Sequence, residues 1–592
     1  MDSVSKVWGR HSFKAGVYIE REQQEFPSGS TYSGVFDFRV NANNPFESGD
    51  SFANALLGNF ASYTEGQKLI KGQVRWGDQE WYVQDNWRVS KRLTLDLGIR
   101  FYHVPAAYDV AHQAASFDPS LWSPQKAPAL YAPTIVNGNR VAKDPTTGAV
   151  AVAPLIGQYV PGTGDVANGL FIDGVNGAPT GLYTRPALNY GPRIGFAFDV
   201  FGDGKTALRG GWGSTFDITE TISTTSNPPI SYSPILYYGN LSTYAQGGGV
   251  IGPSNIGNTI FGRQKLPNIM NFSLGIQHRV LGSVIDVSYV GSLSRNLPYL
   301  YNLNPIPKGA RFNPANGDPT QPGKALPDNF LRPYSGFGDI NYYNFGASSN
   351  YNSLQVSVNR RLARGLQFGV NYTFSRTLGV ADSDSSSVSP YFPARSRNYG
   401  PSSFNRTNVL VINYLYELPK LAGRSHFRPA HWVLDDWQLS GITSFISGAP
   451  FVPGFSTTNG ADITGSTEGA RINVIGDPTL SKGDQTFYRN FNTSAFALPT
   501  VGTFGNAGVG ILRGPGINNW DMAASKRFSL FSESRWIQFR AELFNAWNHT
   551  QFATLFTTAQ FNPAGQQIDP NFGAFASSRP PRIIQLSLKV VF

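Results

Sequence analysis

The chain closes on PRIIQLSLKVVF, residues 581–592. Ile584, Leu586, Leu588, Val590 and Phe592 share one parity and are all apolar. The other parity holds Gln585, Ser587 and Lys589, with Ile583 and Val591 as exceptions. Successive side chains of a strand point to opposite faces. The segment therefore reads as a strand with one greasy face and one largely polar face, ended by an aromatic residue. A soluble sandwich can use such a strand at its edge. The closing strand of a membrane barrel needs one, apolar toward lipid and polar toward the lumen.

The same pattern recurs upstream. In KRLTLDLGIRF, Leu93, Leu95, Leu97, Ile99 and Phe101 oppose Arg92, Thr94, Asp96, Gly98 and Arg100. Trp81, Val83, Trp87 and Val89 form the apolar side of the preceding segment. LQVSVNRRL and LQFGVNYTFS alternate on either side of Ala363-Arg364-Gly365. Further hairpins are expected across Leu281-Gly282-Ser283 and Gly202-Asp203-Gly204, and WIQFRAELF and HSFKAGVYIE alternate as well. Each run is roughly ten residues, enough for a tilted strand to cross hydrocarbon. One such run is a weak signal; its repetition is a strong one. FANALLGNF fits a short helix or a loop equally well.

The connections alternate in length. Tight turns fall near 90–91, 201–204, 281–283, 363–365 and 529–534. Long Gly/Pro/Ser/Asn-rich segments fall near 104–189, 217–267, 293–350, 376–406, 447–517 and 548–581, and 419–434 is of intermediate length. Outer-membrane barrels have short periplasmic turns and long extracellular loops. A propeller would instead show a repeat of about 40–50 residues, and none is visible.

Composition agrees. The 592 residues hold no Cys, which excludes disulfides, thiol nucleophiles and thiolate metal sites. Aromatics reach 14% against 15% charged residues, a balance that favours strands. The net charge of +10 is scattered, with no basic block of the kind that marks a nucleic-acid partner. No apolar run reaches the roughly 18 residues of a membrane helix, and a bilayer can otherwise be crossed only by a closed barrel. MDSVSKVWGR has neither the apolar core nor the cleavage site of a signal peptide. The fold expected is all-β: a transmembrane antiparallel β-barrel with long extracellular loops and roughly 14–16 strands in this chain, residues 1–592 forming one domain.

Read in order, GRHSFKAGVYIEREQ, WYVQDNWRVSKRLTLDLGIRF, LNYGPRIGFAFDV, GKTALRGGWGSTFD, SNYNSLQVSVNRRLARGLQFGVNYTFSRTL, DDWQLSGITSFISGAPF and QFRAELFNAWNHTQF give a more specific likeness. The chain resembles the C-terminal barrel portion of TonB-dependent transporters, of the Oar-like outer-membrane receptor type found in acidobacteria. That resemblance implies an outer-membrane barrel of about 22 strands, an N-terminal plug, and import driven through the TonB complex. Neither a plug nor a TonB-contacting segment is found. The first barrel strands are expected to be missing, and the TonB complex would act only through the absent region.

Catalytic patterns are weak. Gly204-Lys205-Thr206 ends like a phosphate loop, but Asp199 stands where the motif needs Gly. Asp382 and Asp384 begin like a calcium loop, but Ser387 and Pro393 occupy its Gly and Glu positions. His426 and His431 are the closest histidines and form no ligand motif. No enzyme and no cofactor or metal site is expected. The residues of interest concern assembly and the lumen: Ile584, Leu586, Leu588, Val590 and Phe592 resemble the C-terminal signal read by the barrel assembly machinery. Arg92, Arg100, Arg209, Arg540 and Glu542 are candidates to line a solute path or to pair with one another. Trp81, Trp87, Tyr102, Tyr372 and Trp536 suit an interfacial belt. The expected partners are outer-membrane lipid, the assembly machinery and an unknown solute. The leading reading is a TonB-dependent receptor importing a siderophore, oligosaccharide or peptide. The alternatives are a passive porin or surface adhesin, a soluble all-β carbohydrate-binding protein and, last, an outer-membrane hydrolase.

Overall fold

The alternating runs become strands, and tight turns join them two by two. The computed structural model describes residues 2–28, 32–217, 227–246, 248–420, 422–423, 427–530 and 532–592. Its largest sheet has 19 strands, of which four are short additions; the other fifteen form one antiparallel meander. In chain order these are β1 (Asp2–Trp8), β2 (His11–Ser28), β3 (Ile70–Arg88), β4 (Leu93–His103) and β5 (Asn189–Asp199). Then come β6 (Thr206–Phe216), β7 (Asn268–Val280), β8 (Ser283–Asn302), β9 (Phe337–Ala363) and β10 (Leu366–Gly379). The last are β11 (Asn408–Glu417), β12 (Trp437–Ile446), β13 (Ile517–Leu530), β14 (Ser532–Phe544) and β15 (Ile583–Val591). Every neighbour in this order is also the neighbour in sequence. β1 pairs only with β2, and β15 only with β14. Among the described residues no ladder joins those two edges, so the sheet is an open wall.

Turn chemistry fixes the hairpins. β7–β8 and β9–β10 close through Leu281-Gly282 and Arg364-Gly365, and both residues of each pair have positive φ. That is the type I′ geometry that matches strand twist, with Gly at the second site. In the β5–β6 turn the Asp199 carboxylate accepts the amides of Gly202 and Gly204 at 2.9 and 3.0 Å. The GKT triplet is thus part of a braced hairpin. In the β3–β4 turn Ser90 Oγ accepts the amides of Arg92 and Leu93, both at 3.1 Å. Residue 531, inside the expected 529–534 turn, lies outside the described residues.

Register carries one parity across the wall. Leu97 faces Ile194 and Asp85; Trp212 faces Phe272; Phe368 faces Tyr414; Leu588 faces Phe539. Many of these apolar side chains are open: Ile194 is 56%, Leu274 53%, Phe374 51% and Leu588 66% exposed. The twelve largest fully buried side chains, Phe117, Phe491, Phe561 and Ile340 among them, all lie in the long connections or the outer ends of strands. The burial is inverted relative to a soluble sandwich, which would hide the alternating faces. An apolar band left open on a continuous sheet requires lipid.

One expectation needs correction. The segment 293–350 is not one loop. β8 and β9 stay paired well past the bilayer, with bulges around Asn296, and the true connection is 303–336. β9 alone has 27 residues, about 90 Å if fully extended. The connections are also packed. Ser254–Thr259 adds in parallel to the outer part of β9, and Gly454–Thr457 pairs in parallel with Thr558–Phe561. One buried cluster joins Ala107, Leu182, Ile260, Tyr343 and Phe345; another joins Ile472, Phe491, Phe496, Phe561 and Phe572. FANALLGNF resolves into a helix, Ser51–Leu57, capped by the Asp50 carboxylate and ended by Gly58 with φ of 75°.

Candidate functional site: the polar face of the wall

The opposite parity builds a recess. Lys14 faces Gln84 across β2–β3, Gln84 faces Gly98, Gly98 faces Arg193, and Arg193 faces Gly213, which faces Asn271. One rung away run Tyr82 and Arg100; on the other side run Asp96, Gly195, Gly211 and Ser273. Long polar side chains on one half and glycines on the other leave a recess of about 620 Å³. The glycines are its floor. A Cβ at Gly211 or Gly213 would come no closer than 3.4 Å to any atom, so nothing fills the space they leave. Gly191 is different: its Cβ would stand 2.3 Å from the Ser214 carbonyl, and there the backbones approach too closely for a side chain.

Arg100 holds the centre. Its guanidinium pairs with Glu80, whose side chain is 7% exposed, and lies 5.7 and 5.8 Å from the ring centroids of Tyr82 and Tyr102. Lys14 Nζ lies 6.0 Å from the Tyr82 ring. The Asn86 amide donates to Asp96. The surface thus offers cations, phenols and amides within reach of one another, suited to hydrogen-bonding a polar solute. Among the described residues no group of three His, Asp or Glu side chains could hold a metal ion.

The other expected lumen residues are dispersed. Arg209 lies on the polar face opposite Ala197 and Gly275, and is exposed. Arg540 and Glu542 pair with each other at 2.7 Å near the far edge. Arg92 sits in the β3–β4 turn, where its Nε donates to the Asp199 carbonyl at 2.9 Å and its guanidinium lies 5.3 Å from the Phe198 ring. Ile584, Leu586, Leu588 and Val590 oppose Leu543, Ala541, Phe539 and Ile537, and Phe592 projects beyond the ladder, 98% exposed. Sequence reasoning missed Lys14, Tyr82 and Arg193; their parity was readable, but the rung they share depends on strand register.

Two belt residues are reassigned. Tyr102 is 4% exposed on the polar parity and packs on Phe216. Trp536 is on the polar parity too, between Arg527 at 4.4 Å and Lys589 at 5.5 Å from its ring. In the connection between β6 and β7, Tyr244 meets Phe36 and Tyr63 edge-on at 5.2 and 4.9 Å. His431 Nδ1 lies 2.7 Å from Asp435, and His426 lies outside the described residues.

A family model described as an outer membrane beta barrel domain matches residues 1–585. No curated protein matches. Among solved structures, the outer membrane transporter YddB from Escherichia coli aligns over 100% of this chain and 53% of its own, at 11% identity and a TM-score of 0.45. The ferric-catecholate import receptor Fiu of E. coli aligns at 10% identity with a TM-score of 0.39, again over 53% of its length. The ferric enterobactin receptor PfeA of Pseudomonas aeruginosa aligns at 11% identity with a TM-score of 0.42, also over 53%. The chain spans about half the length of these structures. With its apolar face open, its alternating turns and loops and its family match, the chain belongs to the outer membrane beta barrel domain family and resides in the bacterial outer membrane.

Proposed function

We propose that this chain forms the wall and outer mouth of a TonB-dependent receptor that imports a bulky polar solute, such as a siderophore, oligosaccharide or peptide. The observation that carries the reading is the pairing of a wide polar wall with structured outer connections. Fifteen meandering strands whose two edges are unpaired among the described residues fit part of a large barrel, and barrels of about 16 strands or more enclose an aqueous lumen or a plug. The complete ring would have about 22 strands. The Lys14–Arg100–Arg193 recess supplies solute-facing polar groups inside it. The packed connections give the mouth a fixed shape, which favours selective capture over free diffusion. β15, unpaired along one edge among the described residues and followed directly by Phe592, is the strand that the barrel assembly machinery would engage.

The test separates an importer from a passive porin without knowing the solute. The full-length protein is reconstituted in planar lipid bilayers. A gated importer is silent at moderate voltage. A steady conductance from the intact protein refutes import and supports the porin reading.

A further inference from the structure

At the loop end of the β10–β11 pair, the register brings cations together on the lipid face. Phe374 faces Asn408 in the ladder, and the amide of Ser375 donates to the Thr407 carbonyl at 2.8 Å. One step further outward, Arg376 stands across from Arg406, whose carbonyl accepts a hydrogen bond from Ser375 Oγ at 3.0 Å. Arg376 shares the parity of Tyr372 and Phe374, the parity that faces lipid below it, and Arg406 lies two residues before β11 begins. A third arginine arrives from the connection before β13. Arg513 Nη1 donates to the Asn405 carbonyl at 3.4 Å, and Arg406 Nη1 donates to that same carbonyl at 3.1 Å.

Like charges directly opposed across a ladder destabilise it, yet none of these three arginines is in an ion pair among the described residues. Arg376 makes no side-chain hydrogen bond there either. Asp382, in the connection between β10 and β11, accepts the Ser403 amide at 3.0 Å. Burial and the neighbouring guanidiniums of Arg406 and Arg376 push Arg513 below the usual arginine range. The Nε and Nη2 groups of Arg406 and Arg513 remain uncommitted among the described residues.

The depth of the cluster selects its ligand. Directly beneath it on the same face lies Phe374, half exposed, and two strands away Trp520 packs edge-on against Phe445 and Trp547 at 5.9 and 6.2 Å. Aromatic groups of this kind collect where acyl chains give way to headgroups. Guanidinium forks match phosphate oxygens bidentately. We infer that Arg376, Arg406 and Arg513 form a binding site for the phosphate of an outer-leaflet lipid, held against the outside of the wall with its acyl chains along Phe374 and Tyr372.

The test uses full-length protein purified in detergent, with native mass spectrometry reading the retention of added diphosphoryl lipid A. Each Arg→Gln substitution is expected to weaken retention about fivefold, and the triple variant on the order of a hundredfold. Arg361→Gln, at the opposite end of the same hairpin, retains the lipid as wild type does. If the triple variant fails to fold, Arg376→Gln alone decides, because no hydrogen bond of the fold depends on its side chain. Unchanged retention by Arg376→Gln overturns the site, as does equal loss in Arg361→Gln. Displacement of the lipid by millimolar inorganic phosphate, or equal binding of dephosphorylated lipid A, overturns the lipid source.

Discussion

Val370→Arg is the sharpest trial of the wall's orientation. Val370 lies on the apolar parity of β10 and is flanked by Val358 and Ile412 on its two neighbour strands. It stands five residues past Gly365, the end of the tight turn. At about 3.3 Å per residue and a tilt of about 40°, that is about 13 Å into the membrane. The site is therefore near the midplane of a hydrocarbon band about 25 Å tall, where Arg on the lipid face costs about 2–4 kcal/mol. Phe374, four residues further on the same face, is about 23 Å from the turn by the same arithmetic, and Phe374→Arg should cost about 0–1 kcal/mol. Asn371→Arg, on the polar face, should cost under about 0.5 kcal/mol. The assay is folding into lipid vesicles titrated with guanidinium, read by tryptophan fluorescence and by the folded band on unheated gels. The decisive result is the gradient. A dry protein core would penalise Val370→Arg and Phe374→Arg alike, and a solvated face would penalise neither; either outcome refutes the lipid-facing assignment.

Other substitutions probe the polar face and the termini. Arg100→Leu strands the buried Glu80 carboxylate and should lower stability by about 3 kcal/mol; the double variant with Glu80→Gln should recover part of that loss in the same titration. Gly211→Ala should fold normally because its Cβ meets ordinary contacts, whereas Gly191→Ala should shift the unfolding midpoint downward, since its Cβ collides with Ser214. Removing Phe592, which contributes no packing inside the chain, should slow membrane assembly in cells without altering the stability of protein already folded; normal assembly rates would dissociate this residue from the insertion signal. The Asp144 carboxyl, in the connection between β4 and β5, is held down to about 2 by the hydroxyls of Thr146 and then Thr147. Its folded value is below the unfolded value of about 3.9, so its contribution is full above about pH 4 and is lost as pH falls toward 2. Amide protection in residues 139–151, corrected for the intrinsic exchange rate at each pH, should fall in that window and stay level across pH 5–7.

The wall was legible because its physics is local. Alternation at period two assigns strands and faces, and Arg364-Gly365 or Gly202-Asp203-Gly204 announce turns by their need for positive φ. The connections were not legible for the same reason. In the outer part of β9, Tyr343 and Phe345 are buried against Leu182 and Ile260, residues far off in the sequence, so that packing rests on tertiary contacts rather than on local pattern, while the pairing with β8 continues. Residue type misled at Tyr102 and Trp536, where an aromatic near a strand end suggests the interface but parity turns it inward. Arg92 is one residue before its strand, and the turn claims its side chain. The recess needs five registers at once, and no single segment encodes that.

The location of the dry packing has a practical consequence. Surface connections ordinarily accept epitope tags and inserted domains with little harm. In this molecule Phe491, Phe496, Phe561 and Phe572 tie the 447–516 and 545–582 connections into one buried apolar cluster. Engineered insertions there should scramble the exterior of the protein, while the span between Leu281 and Ser283, facing the other compartment, should be the permissive place to attach a label.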